Sequence, residues 1–185
     1  MSFHYFIAMK LDHSTKEWLD SWKPDINKYH LPYKTWVHKQ DYHITLQFLG
    51  GIKEEKRNQL MDLLNRVEKL PAFATQITGL DYFGREDRPK VLYASVDKAQ
   101  ELEKLYLAIK AICKEIEIPV DSREYHPHIT IAKKWTGKTE KIDKNIFNLK
   151  LNKLIYLSEV ALYQINPQKE IKYQPIKVIP LQRGC

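Results

Sequence analysis

The sequence predicts an α+β fold in which antiparallel strands alternate with a few helices. Strand and helix patterns follow one another in the order β-α-β-β-α-β-β-β in outline, and the turns between neighbouring strands favour hairpins over a doubly wound parallel sheet. Tyr-His-Ile-Thr-Leu at residues 42–46 recurs as Pro-His-Ile-Thr-Ile at residues 127–131, 85 positions later. Because similar strand and helix patterns flank both copies, we expect two pseudo-symmetric halves.

The first elements follow from local patterns. Residues 3–10 are apolar and aromatic, which is typical of a strand. Residues 12–15 supply N-cap candidates for a helix over residues 16–22. Residues 34–38 predict a short strand or an extended loop, and residues 42–49 predict a strand that ends at a pair of glycines.

A helix and a hairpin come next. Leucine and valine recur at helical spacing over residues 53–69, so this segment predicts an amphipathic helix that Pro71 ends. Residues 73–83 and 91–96 each predict a strand. The polar turn at residues 84–89 favours pairing of these two strands as a hairpin.

The clearest helix opens the remainder of the chain. Apolar residues form one stripe along residues 99–117, and Pro119 stops the pattern. Residues 128–133 predict a strand, and residues 154–163 predict another. A polar turn then leads to a closing strand over residues 171–179.

Length and composition favour one domain over residues 1–185. The hydrophobic fraction is 43%, and no stretch approaches the roughly 18 apolar residues of a membrane span. The N-terminus at Met1 lacks a basic leader followed by an apolar stretch, so no signal peptide is expected. Cys113 and Cys185 form no CxxC pattern, which argues against a disulfide framework. We expect a cytoplasmic monomer with no obligate protein partner and no membrane association.

The charge balance points in the direction of a polyanionic partner. The formal net charge is +7 and the sequence pI is about 9.2. A basic surface attracts RNA ends or nucleotide phosphates through long-range electrostatics. The excess is spread along the chain, so a generic basic protein remains an alternative.

The repeated motif carries a chemical pattern. Successive side chains of a strand point to opposite faces, so His43 and Thr45 share one face, as do His128 and Thr130. If the two halves face each other, these side chains line one cleft. Two histidines can then provide a general base and a general acid for phosphodiester cleavage without a metal. The threonine hydroxyls can donate to phosphate oxygens.

The sequence also allows two other interpretations of the histidines. His43, His126 and His128 could form a three-histidine zinc set, although no acidic residue sits in a comparable motif and Pro127 interrupts the strand pattern. Both motifs could also be ordinary strands with satisfied histidines. We expect no metal and no cofactor.

Basic and aromatic residues near the motifs are further candidates. Lys133 could bind phosphate, but strict alternation puts it on the apolar side of its strand unless the strand ends or bulges there. Three aromatic residues could stack on a base, and core packing is the preferred interpretation for each. These are Phe48, Tyr93 and Tyr163.

The two motifs resemble the paired HxTx motifs of the 2H phosphoesterase superfamily. The segments are His-Ile-Thr-Leu-Gln-Phe-Leu-Gly at residues 43–50 and His-Pro-His-Ile-Thr-Ile-Ala-Lys at residues 126–133. The resemblance is to the RNA 2′,3′-cyclic phosphodiesterase branch, also called 2′-5′ RNA ligases. It implies a bilobal fold with a central cleft between antiparallel sheets and helices on the outside.

The resemblance also implies roles for individual residues. It implies metal-independent hydrolysis of 2′,3′-cyclic phosphates to 2′-phosphomonoesters, with His43 as the proton donor and His128 as the base that activates water. Thr45 and Thr130 match the phosphate-binding hydroxyls. Lys133 stands where the family commonly has arginine, and lysine keeps the charge but loses the fork geometry. Alternatives are an RNA ligase, a hydrolase of another cyclic phosphate, or a non-catalytic RNA- or nucleotide-binding module.

Overall fold

In the computed structural model, the chain folds into two antiparallel sheets that share one large apolar core. The structure describes residues 3–138 and 141–183, and Met1 and Cys185 lie outside these ranges. The α+β class predicted from the sequence is confirmed. The strands are β1 (His4–Lys10), β2 (Tyr33–Trp36), β3 (His43–Gly51), β4 (Phe73–Arg85), β5 (Arg88–Val96), β6 (His128–Trp135), β7 (Lys153–Leu157), β8 (Glu159–Ile165) and β9 (Tyr173–Pro180).

The described residues form four α-helices, which pack against the sheets through apolar side chains. They are α1 (His13–Asp20), α2 (Lys23–Asn27), α3 (Glu54–Leu63) and α4 (Gln100–Glu115). The predicted N-cap of α1 is confirmed, because the Asp12 carboxylate accepts a hydrogen bond from the backbone N–H of Thr15 at 2.6 Å. The apolar stripe of α4 is buried as its spacing predicts. No helix among the described residues is long and apolar enough to cross a membrane.

The two sheets have related strand orders. The first sheet has the order β3-β1-β8-β9, and the second has the order β2-β6-β5-β4-β7. Each sheet therefore holds one of the two repeated motifs, on β3 or on β6. The first sheet joins strands from the two ends of the chain, so the lobes are intertwined rather than consecutive. The two motif strands approach each other where the sheets meet.

The same irregularity follows the motif in both sheets. In β3 the pairing with β1 skips Leu46, and in β6 the pairing with β5 skips Ile131. Each skipped residue comes directly after the motif threonine. An extra residue in one strand breaks the strict alternation of side chains. The pseudo-symmetry thus extends from the sequence motif to the backbone.

Three features differ from the sequence predictions. Residues 154–163 do not form one strand: the chain passes from the second sheet to the first at Ser158, between β7 and β8. The local strand pattern does not reveal which sheet each part joins. The predicted helix over residues 53–69 is α-helical only to Leu63 and continues as a 3₁₀ helix, Leu64–Lys69. The short helix α2, which carries Pro24 in its first turn, lies beyond the predicted helix over residues 16–22.

Candidate active site

The four motif side chains line one cleft between the two sheets. The cleft has a volume of about 290 Å³ and is shared by His43, Thr45, His128 and Thr130. Apolar and aromatic residues of both sheets close its walls. They are Phe6, Val37, Phe48, Phe83, Val91, Ile165 and Tyr173. The four polar side chains therefore line one cleft, as the alternation of side chains along each strand predicts.

The ring of His43 is held by hydrogen bonds at both nitrogens. Its Nδ1 lies 2.7 Å from the backbone oxygen of Asp41, and its Nε2 lies 3.0 Å from the Thr45 hydroxyl. Because a carbonyl can only accept, Nδ1 carries the proton and the hydroxyl donates to Nε2 in the neutral ring. The ring also packs against Phe6, with the centroids 4.7 Å apart. Nε2 is thereby the unprotonated nitrogen of the neutral ring.

The ring of His128 is oriented by the same device. Its Nδ1 donates to the backbone oxygen of His126 at 2.7 Å, two residues earlier, just as His43 donates to Asp41. Phe83 meets the ring edge-on at 4.9 Å and Tyr93 lies 5.3 Å away. The imidazole of His126 turns away to the Tyr93 hydroxyl, at 3.1 Å. Both motif histidines thus have the tautomer that leaves Nε2 available.

Burial keeps both motif histidines neutral in the free protein. Loss of solvation lowers the pKa of His43 to about 4, against the opposing effect of its bond to Asp41. The pKa of His43 is lowered further by His128 when that ring is protonated, and by the charges of Lys16 and Lys133. Burial also lowers the pKa of His128, and the neighbouring His126 adds to this effect. A neutral imidazole suits a base, whereas an acid at this site must gain its proton when an anion binds.

The bulge in β6 brings Lys133 into the cleft. With Ile131 left out of the pairing, Ile131 and Ala132 are both buried and Lys133 lines the cleft beside Thr130. The ammonium lies 3.4 Å from the Tyr173 hydroxyl. The strand therefore bulges, which is what the sequence requires for Lys133 to reach the cleft.

The matching bulge in β3 changes the interpretation of Phe48. The sequence favours core packing for Phe48, and this prediction is wrong, because the side chain is 55% exposed and lies at the mouth of the cleft. Phe48 therefore provides an accessible aromatic face beside the motif histidines. Tyr93 and Tyr163 are buried, as expected for core residues.

A second cavity of about 400 Å³ continues from this mouth. It shares Thr45, Phe48, Phe83 and His128 with the cleft and extends along Arg123 and His126. A flat ring held against Phe48 would occupy the junction of the two cavities. Aromatic faces of this kind bind nucleobases by stacking.

Two residues that contact the histidines carried no signal in the sequence. Asp41 is only 4% exposed and supplies the carbonyl that holds His43. Tyr173 meets His43 edge-on, with the centroids 5.2 Å apart. Neither residue belongs to a repeated motif, and Tyr173 lies 130 positions beyond His43. Only the pairing of distant strands brings Tyr173 to the site.

The arrangement bears on the metal alternative. Within residues 3–138 and 141–183, no group of three or more His, Cys, Asp and Glu side chains is placed to hold a metal ion. The chemistry that the described residues can supply is proton transfer and hydrogen bonding to an anion.

Two HxTx strands that face one cleft between antiparallel sheets define the 2H phosphoesterase class. Comparison with known proteins agrees. The family model described as the 2′-5′ RNA ligase superfamily matches residues 12–166. The chain belongs to this superfamily.

Curated relatives share the class. A Geobacillus stearothermophilus protein named RNA 2′,3′-cyclic phosphodiesterase is 33% identical over 180 residues, covering 96% of this chain and 57% of the relative. A Bacillus subtilis protein of the same name is 32% identical over 136 residues, covering 73% of each chain. The chain thus spans little more than half the length of the Geobacillus relative.

Solved structures share the fold. Escherichia coli LigT complexed with 3′-AMP has a TM-score of 0.75 at 20% identity, covering 98% of this chain and 99% of LigT. Thermus thermophilus TT0787 has a TM-score of 0.77 at 21% identity, covering 96% and 97% of the two chains. The bilobal architecture is therefore that of LigT.

Proposed function

We propose that this protein hydrolyses 2′,3′-cyclic phosphate ends of RNA or nucleotides to 2′-phosphomonoesters without a metal ion, as one domain whose two lobes share the site. The observation that carries the proposal is the matched orientation of His43 and His128. Each donates Nδ1–H to a backbone carbonyl two residues earlier and presents Nε2 to the same cleft. The name RNA 2′,3′-cyclic phosphodiesterase carried by the relatives supports this substrate class.

The reaction divides between the two imidazoles. His128 accepts a proton from water through Nε2 as the water oxygen forms a bond to phosphorus. The bond between phosphorus and the ribose 3′-oxygen breaks, and His43 gives its Nε2 proton to that oxygen. The product carries the phosphate on the 2′-oxygen, and the proton taken by His128 replaces the one given by His43 through exchange with solvent. The assignment of acid and base follows the family resemblance.

Hydrogen-bond donors in the cleft fit a phosphate anion. Thr45 and Thr130 present hydroxyls, and Lys133 presents a charge next to them. Donors aimed at the oxygens of a phosphate stabilise the extra negative charge of the transition state. The Thr45 hydroxyl, which donates to His43 in the free protein, is released to the phosphate when His43 becomes protonated. Phe48 offers its exposed face to the base of the terminal nucleotide.

The test is turnover of 2′,3′-cyclic nucleotides and short cyclic-ended RNAs, with chromatographic identification of the product. We expect 2′-phosphomonoesters, full activity in EDTA, and loss of turnover by about a thousandfold or more in His43→Ala and in His128→Ala. His13→Ala is the matched control, because His13 lies on the surface of α1 with its side chain 76% exposed. Activity above one tenth of wild type in either motif variant would refute the two-histidine mechanism. Joined RNA strands as the only product would show a ligase.

A further inference from the structure

The side chain of Asp41 is a buried carboxylate directly before the first motif. Asp41 ends a 3₁₀ turn, Lys39–Asp41, that His38 caps by accepting the N–H of Gln40 through Nδ1 at 3.2 Å. Only 4% of Asp41 is exposed. A carboxylate is costly to bury unless hydrogen bonds and nearby charges compensate for the lost water. Its partners therefore show what the carboxylate does.

Both carboxylate oxygens are used across the sheet. Oδ2 accepts the backbone N–H of Lys172 at 2.9 Å, and Oδ1 accepts the backbone N–H of Tyr173 at 3.1 Å. These N–H groups stand at the start of β9, more than 130 positions along the chain. Hydrogen bonds to an ionised acceptor are stronger than those between neutral groups. The carboxylate thus clamps the beginning of β9 to the turn that precedes His43.

The clamp fixes two parts of the cleft at once. On one side, the carbonyl of Asp41 receives the Nδ1–H of His43 at 2.7 Å. On the other side, the ring of Tyr173 stands edge-on to His43, and its hydroxyl lies 3.4 Å from the ammonium of Lys133. Asp41 therefore sets the tautomer of His43 and the contact of its ring with Tyr173. Through Tyr173 it also sets the position of the Lys133 ammonium.

The 3₁₀ turn that contains Asp41 is also held by a hydrogen bond from α1. Lys16, on α1, is 8% exposed and donates from Nζ to the carbonyl of Gln40 at 2.6 Å. The charge of Asp41 opposes the lowering of the Lys16 pKa that burial causes. The ammonium of Lys16 and the carboxylate of Asp41 are thus both buried beside the turn.

Among the residues that the structure describes, the second half of the molecule shows no equivalent clamp. His128 donates to the carbonyl of His126, but the side chain of His126 bonds to the Tyr93 hydroxyl within its own sheet. The residues two places before the motif histidines, Asp41 and His126, are where the pseudo-symmetry is broken. A clamp of this kind holds one imidazole more tightly than the other.

We propose that the Asp41 carboxylate is a positioning residue, which orients His43 and, through Tyr173, Lys133 for the reaction. It touches neither substrate nor reacting atoms. The proposal rests on the proposed function for its kinetic consequence and on geometry alone for the orientation of His43. A misplacement of about 1 Å in a reacting group can cost about a hundredfold in rate.

The experiment compares Asp41→Ala and Asp41→Asn with wild type on a 2′,3′-cyclic mononucleotide. The alanine variant loses both acceptors, so we expect kcat to fall by about 10- to 100-fold while KM changes by less than about threefold. The asparagine variant keeps one acceptor and should retain about ten times more activity than the alanine variant. Asp143→Ala is the matched control, because Asp143 caps another 3₁₀ turn by accepting the N–H of Asn145 at 2.9 Å.

A second readout needs no substrate. Long-range ¹H–¹⁵N spectra of the imidazoles distinguish the Nδ1–H from the Nε2–H tautomer, so they report orientation even if turnover is not observed. We expect the Nε2–H form of His43 to increase in Asp41→Ala while His128 keeps its wild-type spectrum. If Asp41→Ala does not fold, Asp41→Asn decides by the same shift of His43. An unchanged tautomer of His43, an equal change at both histidines, or a kcat within about twofold of wild type would overturn the proposal. Inactive wild-type protein with the expected spectra would refute the proposed function and leave the clamp standing.

Discussion

Anion binding should draw a proton onto His43. The pKa of His43 is lowered to about 4 in the free protein, so about one molecule in a thousand carries the imidazolium at pH 7. The proposed acid role requires that proton. The bound anion is therefore expected to supply the electrostatic attraction that holds it.

The size of the effect follows from the cleft. An anion that accepts hydrogen bonds beside Thr45 would place a negative charge about 4 Å from the imidazole, worth about 4 kcal/mol at an effective dielectric constant of about 20. That energy shifts the protonation equilibrium by about a thousandfold. The charged and neutral forms of His43 then become comparable near neutral pH, and binding should take up about half a proton or more.

Calorimetry with sulfate measures this uptake directly. Sulfate resembles phosphate in charge and shape but does not titrate near neutral pH, so any proton taken up belongs to the protein. Binding enthalpies at pH 7 in buffers with different ionisation enthalpies give the number of protons. We expect uptake in wild type and in His128→Gln, and its loss in His43→Gln.

The alternatives have distinct signatures. Uptake that persists in His43→Gln and vanishes in His128→Gln would mean that the acid and base roles are exchanged. Binding with no uptake in wild type would refute the electrostatic reasoning for both histidines. Thr45→Val would weaken sulfate binding without removing the uptake, because the imidazole stays in place.

Four further predictions address the phosphate site, metal dependence, acid stability and the core. In Lys133→Ala, the fold increase in KM for a cyclic nucleotide should be about ten times the fold decrease in kcat, as measured by initial rates. Lys133→Arg should restore KM. Turnover should be the same after dialysis against EDTA and after addition of Zn²⁺ at equimolar concentration; a rise with the metal would contradict the metal-free mechanism. Unfolded His43 binds a proton below about pH 6.5, whereas the folded form does so only near pH 4. The free energy of unfolding should therefore fall by up to about 3 kcal/mol as the pH is lowered from about 6.5 to about 4. Urea titrations should show a smaller fall in His43→Gln. Ile44→Ala, which truncates a fully buried side chain behind the motif, should cost about 2–5 kcal/mol in the same titrations.

The sequence by itself determined which side chains the two motifs present on one face of each strand. Alternation along a strand placed His43 with Thr45 and His128 with Thr130, and the structure has all four in one cleft. The periodicity of α4 and the hairpin of β4 and β5 were equally readable, because they depend on residues close together in the chain. Local patterns of this kind are sufficient to predict which side chains share one face of a helix or strand.

The tertiary structure alone decided which other side chains reach the cleft. Phe48 and Lys133 face it because Leu46 and Ile131 are left out of the pairing, and a bulge is a property of two strands rather than of one. The break at Ser158 likewise depends on which sheet each neighbouring segment joins.

Asp41 shows the limit most clearly. In the sequence it is an ordinary aspartate in a polar turn, and its partners, the N–H groups of Lys172 and Tyr173, are more than 130 positions away. A repeated motif can reveal two histidines, because the residue types themselves recur in the sequence. The contacts that hold them in place each involve a backbone atom, which every residue possesses, and only the folded chain shows which of these atoms meet their partners.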